Sequence, residues 1–331
     1  MRKLAVIGAG SWGTAAAALA AANIETTLWA RRAELADVIN NTGTNPAYLP
    51  DFVLPERLSA TSNLDAAIDR ADVVAMAVPS HGFRAVFAEV SERITSDVAI
   101  LSLTKGIEQQ TLAPMTRVVT EEAPQLRSER IGVLTGPNLA AEIALGQPAA
   151  AVVAMKDMAT ATEVQTIFMS PVFRVYTNDD VVGCEMAGAL KNVMAIAAGM
   201  SDGMGFGDNT RATHVTRALA ELTRLGVAMG GQPSTFAGLA GMGDLIATCA
   251  SPRSRNHRVG AGLAAGKKLE EIVDDMQMVA EGVKTTRAVV ELAKAHRVEV
   301  PIATHVGLVL YEGLDPHEAV LRLMTREAKP E

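Results

Sequence analysis

A glycine-rich turn at residues 8–13 is the first stretch whose residue types and spacing suit a definite chemistry. Its letters, GAGSWG, place Gly8, Gly10 and Gly13 in the spacing G-x-G-x-x-G, between an apolar run and a helical pattern. In a dinucleotide-binding turn these glycines permit the bend, the approach of a pyrophosphate and the packing of helix on strand. The free N–H groups that begin the helix then bind the anion. The turn therefore predicts a nicotinamide dinucleotide site, against the alternative of a purely structural turn.

Two arginines, Arg31 and Arg32, end the next apolar run, TTLWA. In this kind of domain an acidic residue at that place binds the adenosine ribose hydroxyls, whereas an arginine accommodates a 2′-phosphate. The pair therefore favours NADP(H) over NAD(H), which stays possible. The alternative is that both arginines are ordinary solvated charges at a strand end.

Two lysines are candidates for the chemistry of a reacting group. Lys105 follows a predicted strand in SLTKG, at the carboxyl edge where open α/β sheets bind ligands. A solvated lysine would fit that position equally well. Lys191 lies in a helical stretch that is apolar nearly all round, so it is expected to be buried. Desolvation disfavours the charged form of a lysine, and such an amine suits general acid and base catalysis.

A second irregular turn follows a later predicted strand, in LTGPNLAAEIA. Gly136 and Pro137 interrupt the regular structure there. Asn138 is expected either to cap the helix that follows or to contact a ligand, and the two roles are compatible.

A basic loop follows Asp244, in SPRSRNHRVG, and Asn256 adds an amide to it. The chain carries a net charge of −7, so a phosphate ligand requires a local basic cluster. The loop provides one, against the alternative of an exposed basic loop without a ligand. Its basic members are Arg253, Arg255, His257 and Arg258.

The elements that must position these residues change in kind along the 331-residue chain. Up to residue 180 strand-like and helix-like patterns alternate, which predicts a Rossmann-type, doubly wound parallel α/β sheet. After that point only helical patterns remain, at 184–198, 210–226, 284–297 and 316–327. We therefore expect an NAD(P)-binding domain over 1–180 and an all-α, substrate-binding and catalytic domain over 181–331, packed closely with a cleft between them. Glycines 199, 203, 205 and 207 are expected to break the first long helix into a flexible loop.

Several classes of protein are disfavoured by composition. There is no basic surplus for binding nucleic acid. Cys184 and Cys249 are far apart and lack the spacing of a zinc site or a disulfide framework, so no metal is expected and a reducing cytoplasm fits. The longest apolar candidate considered, AALAAANIE, is too short to span a bilayer, and no signal peptide is recognised. We expect a soluble cytoplasmic protein.

Taken together, the motifs resemble those of the bacterial NAD(P)-dependent glycerol-3-phosphate dehydrogenases over essentially the whole chain. The similarity rests on VIGAGSWGTA, SLTKGIE, LTGPNLAAEIA, ALKNVMAIAAGMSDGMGFGDNTRA, GLAGMGDLIATC, SRNHRVG and AEGVKT, in the family's order. The resemblance implies reversible reduction of dihydroxyacetone phosphate to sn-glycerol 3-phosphate by NAD(P)H, for glycerophospholipid synthesis. It also implies a Rossmann domain followed by a helical domain, commonly assembled as a homodimer.

The resemblance also implies roles for individual residues. Lys191 matches the catalytic lysine that donates and accepts the proton. Lys105 and Asp244 are the other two residues expected to be catalytic. The substrate-binding positions that it implies are Lys105, Gly136, Asn138, Lys191, Asp244, Ser254, Arg255 and Asn256. A serine or threonine is common where this chain has Asn138. The cofactor positions, together with the three glycines and Arg32 of the turn and strand end, are Ser11, Trp12, Arg31, Lys105, Ala140, Arg255, Val279 and Glu281.

Two other functions compete with this interpretation. One is a related dehydrogenase of hydroxy acids or sugar acids, which the basic loop disfavours because it suits a phosphorylated substrate. The other is a catalytically silent NADP(H)-binding sensor or scaffold, which the fold alone permits. The joint presence of Lys105, Lys191 and Asp244 argues against it.

Overall fold

The computed structural model describes residues 1–274, 276 and 280–328. The chain divides into two compact units. The first consists of Met1–Lys105 and Ala113–Glu185, and the second of Gly106–Leu112 and Met186–Glu331. The division at residue 180 stays a prediction about domains. By compactness the second unit begins a few residues later and also takes a short segment from the first half of the chain.

The first unit is built on one large sheet and a small hairpin. Its strands are β1 (Lys3–Ile7), β2 (Glu25–Trp29), β3 (Thr44–Asn45), β4 (Leu49–Val53), β5 (Leu58–Thr61), β6 (Val73–Met76), β7 (Ala99–Ser102), β8 (Ile131–Thr135), β9 (Ala149–Met155) and β10 (Phe173–Asn178). Its helices are α1 (Ser11–Ala21), α2 (Ala33–Thr42), α3 (Leu64–Ile68), α4 (Ser80–Ser91), α5 (Met115–Glu122), α6 (Ala140–Ala144) and α7 (Met158–Phe168). A 3₁₀ turn covers Ser128–Arg130.

The order of the large sheet is β10-β9-β8-β7-β6-β1-β2-β5, while β3 and β4 pair separately. In this sheet order, the six neighbouring strands β8, β7, β6, β1, β2 and β5 are all parallel. The chain reverses its direction of winding between β1 and β6. Such a reversal is the point at which doubly wound sheets bind ligands, outside the carboxyl ends of the strands. The predicted Rossmann-type sheet is confirmed in this part.

One pair of strands departs from the expected parallel arrangement. β9 runs antiparallel to β8, and β10 is then parallel to β9. The connection from β8 to β9 contains only the five-residue helix α6. The chain therefore runs back beside β8 instead of crossing a face of the sheet, as a parallel connection requires.

Burial on both faces of the sheet explains the continuous apolar run of β1. Leu4 and Val6 lie in the core cluster that includes the alanines of α1, whereas Ala5 and Ile7 lie in the cluster that includes Phe83 of α4. Successive strand residues point to opposite faces, so a strand covered on both sides needs no polar alternation. The alanines let α1 lie close to the sheet, directly behind the glycine turn.

The second unit is helical from α8 onward in its described residues, whereas its segment Gly106–Leu112 forms no helix. After α8 (Val181–Gly203), which begins in the first unit, come α9 (Asp208–Ala228), α10 (Pro233–Phe236), a π-helical segment (Leu239–Gly243), α11 (Asp244–Ala250), α12 (Arg255–Ala264), α13 (Leu269–Asp274), α14 (Glu281–His296), α15 (Pro301–Glu312) and α16 (Pro316–Met324). The predicted all-α C-terminal part is confirmed.

The glycines at the end of α8 serve packing, and the expected flexible loop over residues 199–207 is wrong in this respect. Gly199 and Gly203 lie inside the helix. A Cβ atom at Gly199 would overlap the His257 carbonyl oxygen, and one at Gly260 of α12 would overlap the Ile196 carbonyl oxygen. α8 and α12 therefore cross with their backbones in direct contact.

α8 is long and apolar enough to cross a membrane by length and composition alone. However, 89% of its most apolar 18-residue window is buried within the protein. A core helix of a folded domain passes the same test, so α8 is weak evidence for a membrane span. The expectation that the helix around Lys191 is largely buried is confirmed. α8 is longer than AALAAANIE, the apolar stretch that was considered as a membrane span in the sequence.

Candidate active site

Two of the three glycines in the turn after β1 are required by packing, and one is not. Gly8 has a φ of +120°, and a Cβ there would lie 2.6 Å from the carbonyl oxygen of Ala77. A Cβ at Gly13 would overlap the Gly8 carbonyl oxygen, whereas one at Gly10 would meet no atom within 4 Å. The space at Gly10 fits a pyrophosphate that approaches the backbone. The N-cap of α1 is Gly10, and no side-chain cap is present there among the described residues. The start of such a helix is suited to binding an anion.

The residues around the turn also fit a bound dinucleotide. The indole Nε1 of Trp12 is buried and has no hydrogen-bond partner in the part of the chain that the structure describes. A buried donor without a partner is costly, which points to a ligand atom. The Ser11 hydroxyl donates to the Tyr48 carbonyl at 2.8 Å. Arg31 and Arg32 are exposed between β2 and α2, as expected for residues at the rim of an adenosine site.

The hairpin of β3 and β4 fastens the turn through Asn45, which the sequence analysis missed. Its side chain is fully buried. The Nδ2 group donates to the Ala9 carbonyl at 3.0 Å and to the Thr14 hydroxyl at 2.8 Å. One amide thus joins the middle of the glycine turn to the first turn of α1.

Lys105 and the loop after β8 come together at the carboxyl edge of the sheet. The Lys105 ammonium donates to the Gly136 carbonyl at 2.8 Å. Gly136 has a φ of +126°, and a Cβ there would lie 3.1 Å from the Ala151 Cα. The sequence therefore needs glycine at this bend. The bend directs its carbonyl to the lysine, which brings together two of the residues predicted for the substrate.

Asn138 has the features of a ligand-binding side chain. Both its amide oxygen and its amide nitrogen are buried without a partner among the described residues, as is the hydroxyl of Thr135 at the end of β8. The N-cap of α6 is Leu139, and no side chain caps that helix. The expected capping role of Asn138 is therefore wrong. Ala140, predicted to contact the cofactor, is the first residue of α6.

Lys191 lies on the buried face of α8 in a polar group of three side chains. Its Nζ is 2.5 Å from Asp244 Oδ1 and 2.5 Å from the Thr248 hydroxyl oxygen. Thr248 in turn donates to the Asp244 carbonyl at 2.6 Å. All three residues are buried. The amine is thus held in one position by an anion and a hydroxyl, away from bulk water.

Asp244 and Thr248 reach the lysine from one helix that follows an unusual segment. They are four residues apart on α11, which begins at Asp244, so they share a face. A π-helical segment directly precedes Asp244. Such segments are frequent at functional sites. The i to i+4 spacing was the signal that could have found Thr248 in the sequence.

Asn256 braces the start of α12 against two other helices. Its Nδ2 donates to Asn192 Oδ1 at 2.9 Å, and its Oδ1 accepts the Gly282 N–H at 2.9 Å. Ser254 is the N-cap of α12, with its hydroxyl oxygen accepting the His257 N–H. Asn192, adjacent to Lys191, was not among the predicted site residues.

Arg255 is the first residue of α12 and its side chain reaches solvent. The protein around it lowers the pKa of the guanidinium by desolvation, and the nearby carboxylate of Glu281 opposes that shift. The other basic members of the loop do not all join it. Arg253 and Arg258 are exposed, but His257 is buried and bound to Asp202. The basic cluster is thus smaller than the sequence indicates.

Metal and thiol chemistry find no support in the described residues. No group of three His, Cys, Asp or Glu side chains there could hold a metal ion. Desolvation, reinforced by nearby carboxylates, raises the pKa of the Cys184 thiol to about 12. Desolvation likewise raises the pKa of Cys249 to about 12, although the charge of Lys191 opposes it. Val279, predicted to contact the cofactor, lies outside the described residues.

The sheet order, the glycine turn at its switch point and a helical unit with a buried lysine define a Rossmann-type NAD(P)-dependent dehydrogenase. Two family models match the chain: the NAD-dependent glycerol-3-phosphate dehydrogenase N-terminus over residues 3–161 and the C-terminus of the same enzyme over residues 180–321. The chain belongs to the NAD-dependent glycerol-3-phosphate dehydrogenase family.

Individual relatives agree with this assignment over the full length. The chain is 50% identical over 330 residues to a Streptomyces avermitilis protein named glycerol-3-phosphate dehydrogenase (NAD(P)+), covering 99% of this chain and 98% of that protein. The structure is similar to a crystal structure of glycerol-3-phosphate dehydrogenase from Coxiella burnetii, with a TM-score of 0.93, 36% identity and coverage of 98% and 99%. It is also similar to the Saccharomyces cerevisiae enzyme of that name, with a TM-score of 0.83, 26% identity and coverage of 96% and 98%.

Proposed function

We propose that the protein catalyses the reversible reduction of dihydroxyacetone phosphate to sn-glycerol 3-phosphate with NAD(P)H. The observation that carries the proposal is the buried Lys191 amine held by Asp244 and Thr248. Relatives at about half identity over the full chain carry the name of this activity. In this proposal the division into a cofactor domain over 1–180 and a substrate domain over 181–331 is retained.

The cofactor supplies the hydride, and the first unit provides most of the residues to bind it. Gly10 leaves room for the pyrophosphate, and the uncapped start of α1 provides donors. The Trp12 indole and the backbone around Ser11 contact the same group. Arg31, with Arg32 beside it, neutralises a 2′-phosphate, so we propose a preference for NADPH over NADH.

Lys191 supplies the proton for the new alcohol. Negative charge develops on the carbonyl oxygen as the ketone is reduced, and a positioned acid stabilises it by proton transfer. Asp244 and Thr248 hold the amine, because their oxygens are its hydrogen-bond partners. In the reverse direction the neutral amine takes the proton back. Lys105, fixed on the Gly136 carbonyl, contributes a second positive charge for the substrate and cofactor.

The second unit also provides the grip on the phosphate. Arg255 offers a planar, always charged guanidinium that matches phosphate oxygens. Ser254 and Asn256 flank it at the start of α12. The amide nitrogen of Asn256 already donates to Asn192, and its amide oxygen accepts from Gly282. We assign the substrate hydroxyl to Asn138, since its amide has no partner among the residues that the structure describes. Val279 and Glu281 complete the proposed cofactor contacts, with Ala140.

The cellular setting follows from the same proposal. Two buried, unpaired cysteines fit a reducing cytoplasm. The product is a precursor of glycerophospholipids, and the protein would work as a homodimer, as implied by the family resemblance.

A substrate comparison tests the proposal. We expect NADPH oxidation with dihydroxyacetone phosphate, and little with unphosphorylated dihydroxyacetone or with oxo acids at equal concentration. Faster turnover of an oxo acid would favour a hydroxy-acid dehydrogenase. NADPH binding, followed by quenching of Trp12 and Trp29 fluorescence, without turnover of any ketose phosphate would favour a silent sensor.

A further inference from the structure

The start of α12, which carries Arg255, is fixed on α8 by a backbone contact. Gly199 and Gly260 leave no space for a side chain at the crossing, because Cβ atoms there would overlap the carbonyl oxygens of His257 and Ile196. The close contact continues one turn further along α8, where a Cβ at Gly203 would lie 2.8 Å from the Ala264 Cβ. This packing holds the two helices together, and side-chain bonds add to the restraint on the rotation of α12 and so on the orientation of Arg255.

Two side-chain bonds add restraints at the start of α12. Asn256 reaches back along α8 to Asn192, at 2.9 Å. His257 reaches forward along the same helix, where its Nε2 is 2.9 Å from Asp202 Oδ2. Asn192 and Asp202 are ten residues apart on α8, or about 15 Å along its axis. Adjacent residues of α12 are thus tied to widely separated points of α8, which adds to the restraint that packing places on the rotation of α12.

The chemistry at Asp202 favours a permanent bond to His257. Although partial burial raises the pKa of the Asp202 carboxyl, hydrogen bonds from His257 and Arg211 outweigh it, so that this pKa is lowered. The carboxylate therefore stays ionised at neutral pH. Arg211 of α9 binds its other oxygen at 3.1 Å. Facing a carboxylate, the His257 Nε2 must carry a hydrogen.

We propose that Asp202 and His257 are positioning residues for phosphate recognition: by fixing the rotation of α12, they orient Arg255. Neither residue needs to touch the substrate. The inference rests on the proposed function, because it assigns the phosphate to Arg255. It differs from a purely structural role in that the loss of the pair should weaken phosphate binding in a protein that remains folded.

Steady-state kinetics of His257→Ala and Asp202→Asn test the proposal against a conservative variant. We expect KM for dihydroxyacetone phosphate to rise about tenfold, since small misplacements of a binding group are costly. The turnover number at saturation should stay within about twofold, because Lys191 is untouched. His257→Gln retains an N–H donor of similar reach and should restore most of the affinity. His296→Ala, which removes an exposed histidine at the end of α14, is the control.

Two binding measurements separate this inference from the proposed function. Calorimetry with inorganic phosphate should show the same loss of affinity in His257→Ala, while NADPH binding by tryptophan fluorescence should change much less, because most of the proposed cofactor contacts lie in the first unit. A parallel loss in His257→Gln, or an unchanged KM and phosphate affinity in a folded His257→Ala, would overturn the positioning role. A wild-type protein that binds phosphate but does not reduce dihydroxyacetone phosphate would refute the proposed function and leave the phosphate test standing.

Discussion

The Nζ of Lys191 and the Oδ1 of Asp244 lie 2.5 Å apart, and both side chains are almost inaccessible to solvent. Burying each charge costs desolvation free energy, and the attraction between the two charges offsets that cost only while both are present. The arrangement therefore couples the proposed catalytic group to the stability of the second unit.

Removal of the anion alone should destabilise the protein. We expect Asp244→Ala to lower the free energy of unfolding by about 3–5 kcal/mol, since it leaves a buried cation without its partner. The double variant Lys191→Met with Asp244→Leu should recover much of that loss and remain inactive. Urea unfolding of both variants measures this, and a cost for Asp244→Ala below about 1 kcal/mol would show that water reaches the amine.

The glycines of the turn should separate stability from cofactor binding. Gly13→Ala forces a Cβ onto the Gly8 carbonyl and should lower the melting temperature strongly. Gly10→Ala has open space and an ordinary φ of −73°, so its stability should change little. Nevertheless Gly10→Ala should weaken NADPH binding about tenfold or more, because the methyl group occupies the path of the pyrophosphate. Equal NADPH affinity in Gly10→Ala and wild type would place the dinucleotide elsewhere.

The exposed arginines after β2 should decide the cofactor preference. Arg31→Ala with Arg32→Ala should raise KM for NADPH about tenfold or more, which corresponds to the loss of a charge-assisted hydrogen bond. KM for NADH should stay nearly constant, because it has no 2′-phosphate. Similar effects on the two cofactors would remove the arginines from 2′-phosphate recognition.

Structural features could be predicted from the sequence where one physical requirement determines the residue type. The glycine turn, the buried strand β1 and the buried Lys191 follow from spacing and apolar context. The antiparallel β9 could not be predicted from the pattern, since a buried strand looks the same in either direction. Asn45 was missed because the short hairpin that carries it has little periodicity. His257 looked like part of a basic surface, and only the crossing of α8 and α12 shows that Asp202 binds it.

Buried Glu185 should give the stability a distinct pH dependence. Desolvation raises its pKa to about 7, opposed by hydrogen bonds from Thr116 at the start of α5. The folded state therefore keeps a proton that the unfolded chain, near pKa 4.5, releases. Its stabilising contribution is complete below pH 4.5 and is lost as the pH rises to about 7, by on the order of 3 kcal/mol.

The free energy of unfolding of wild type and Glu185→Gln, measured between pH 4.5 and 8, tests this predicted loss of stability with rising pH. Glutamine can keep the bond from the Thr116 N–H but cannot ionise. Its stability relative to wild type should therefore increase with pH. Glu221, whose pKa burial also raises to about 7, is present in both proteins, so its contribution cancels. A difference that is flat with pH would mean that Glu185 is ionised throughout.

The most direct test of the account is the rate of NADPH oxidation by Lys191→Ala at saturating dihydroxyacetone phosphate. Loss of the positioned proton donor should reduce turnover by about 10²–10⁴-fold. Binding of NADPH, read from tryptophan fluorescence in the same sample, should stay at the wild-type level, because Lys191 is not among the proposed cofactor contacts. Turnover within a few-fold of wild type, with the cofactor bound, would contradict the assignment of Lys191 as the acid.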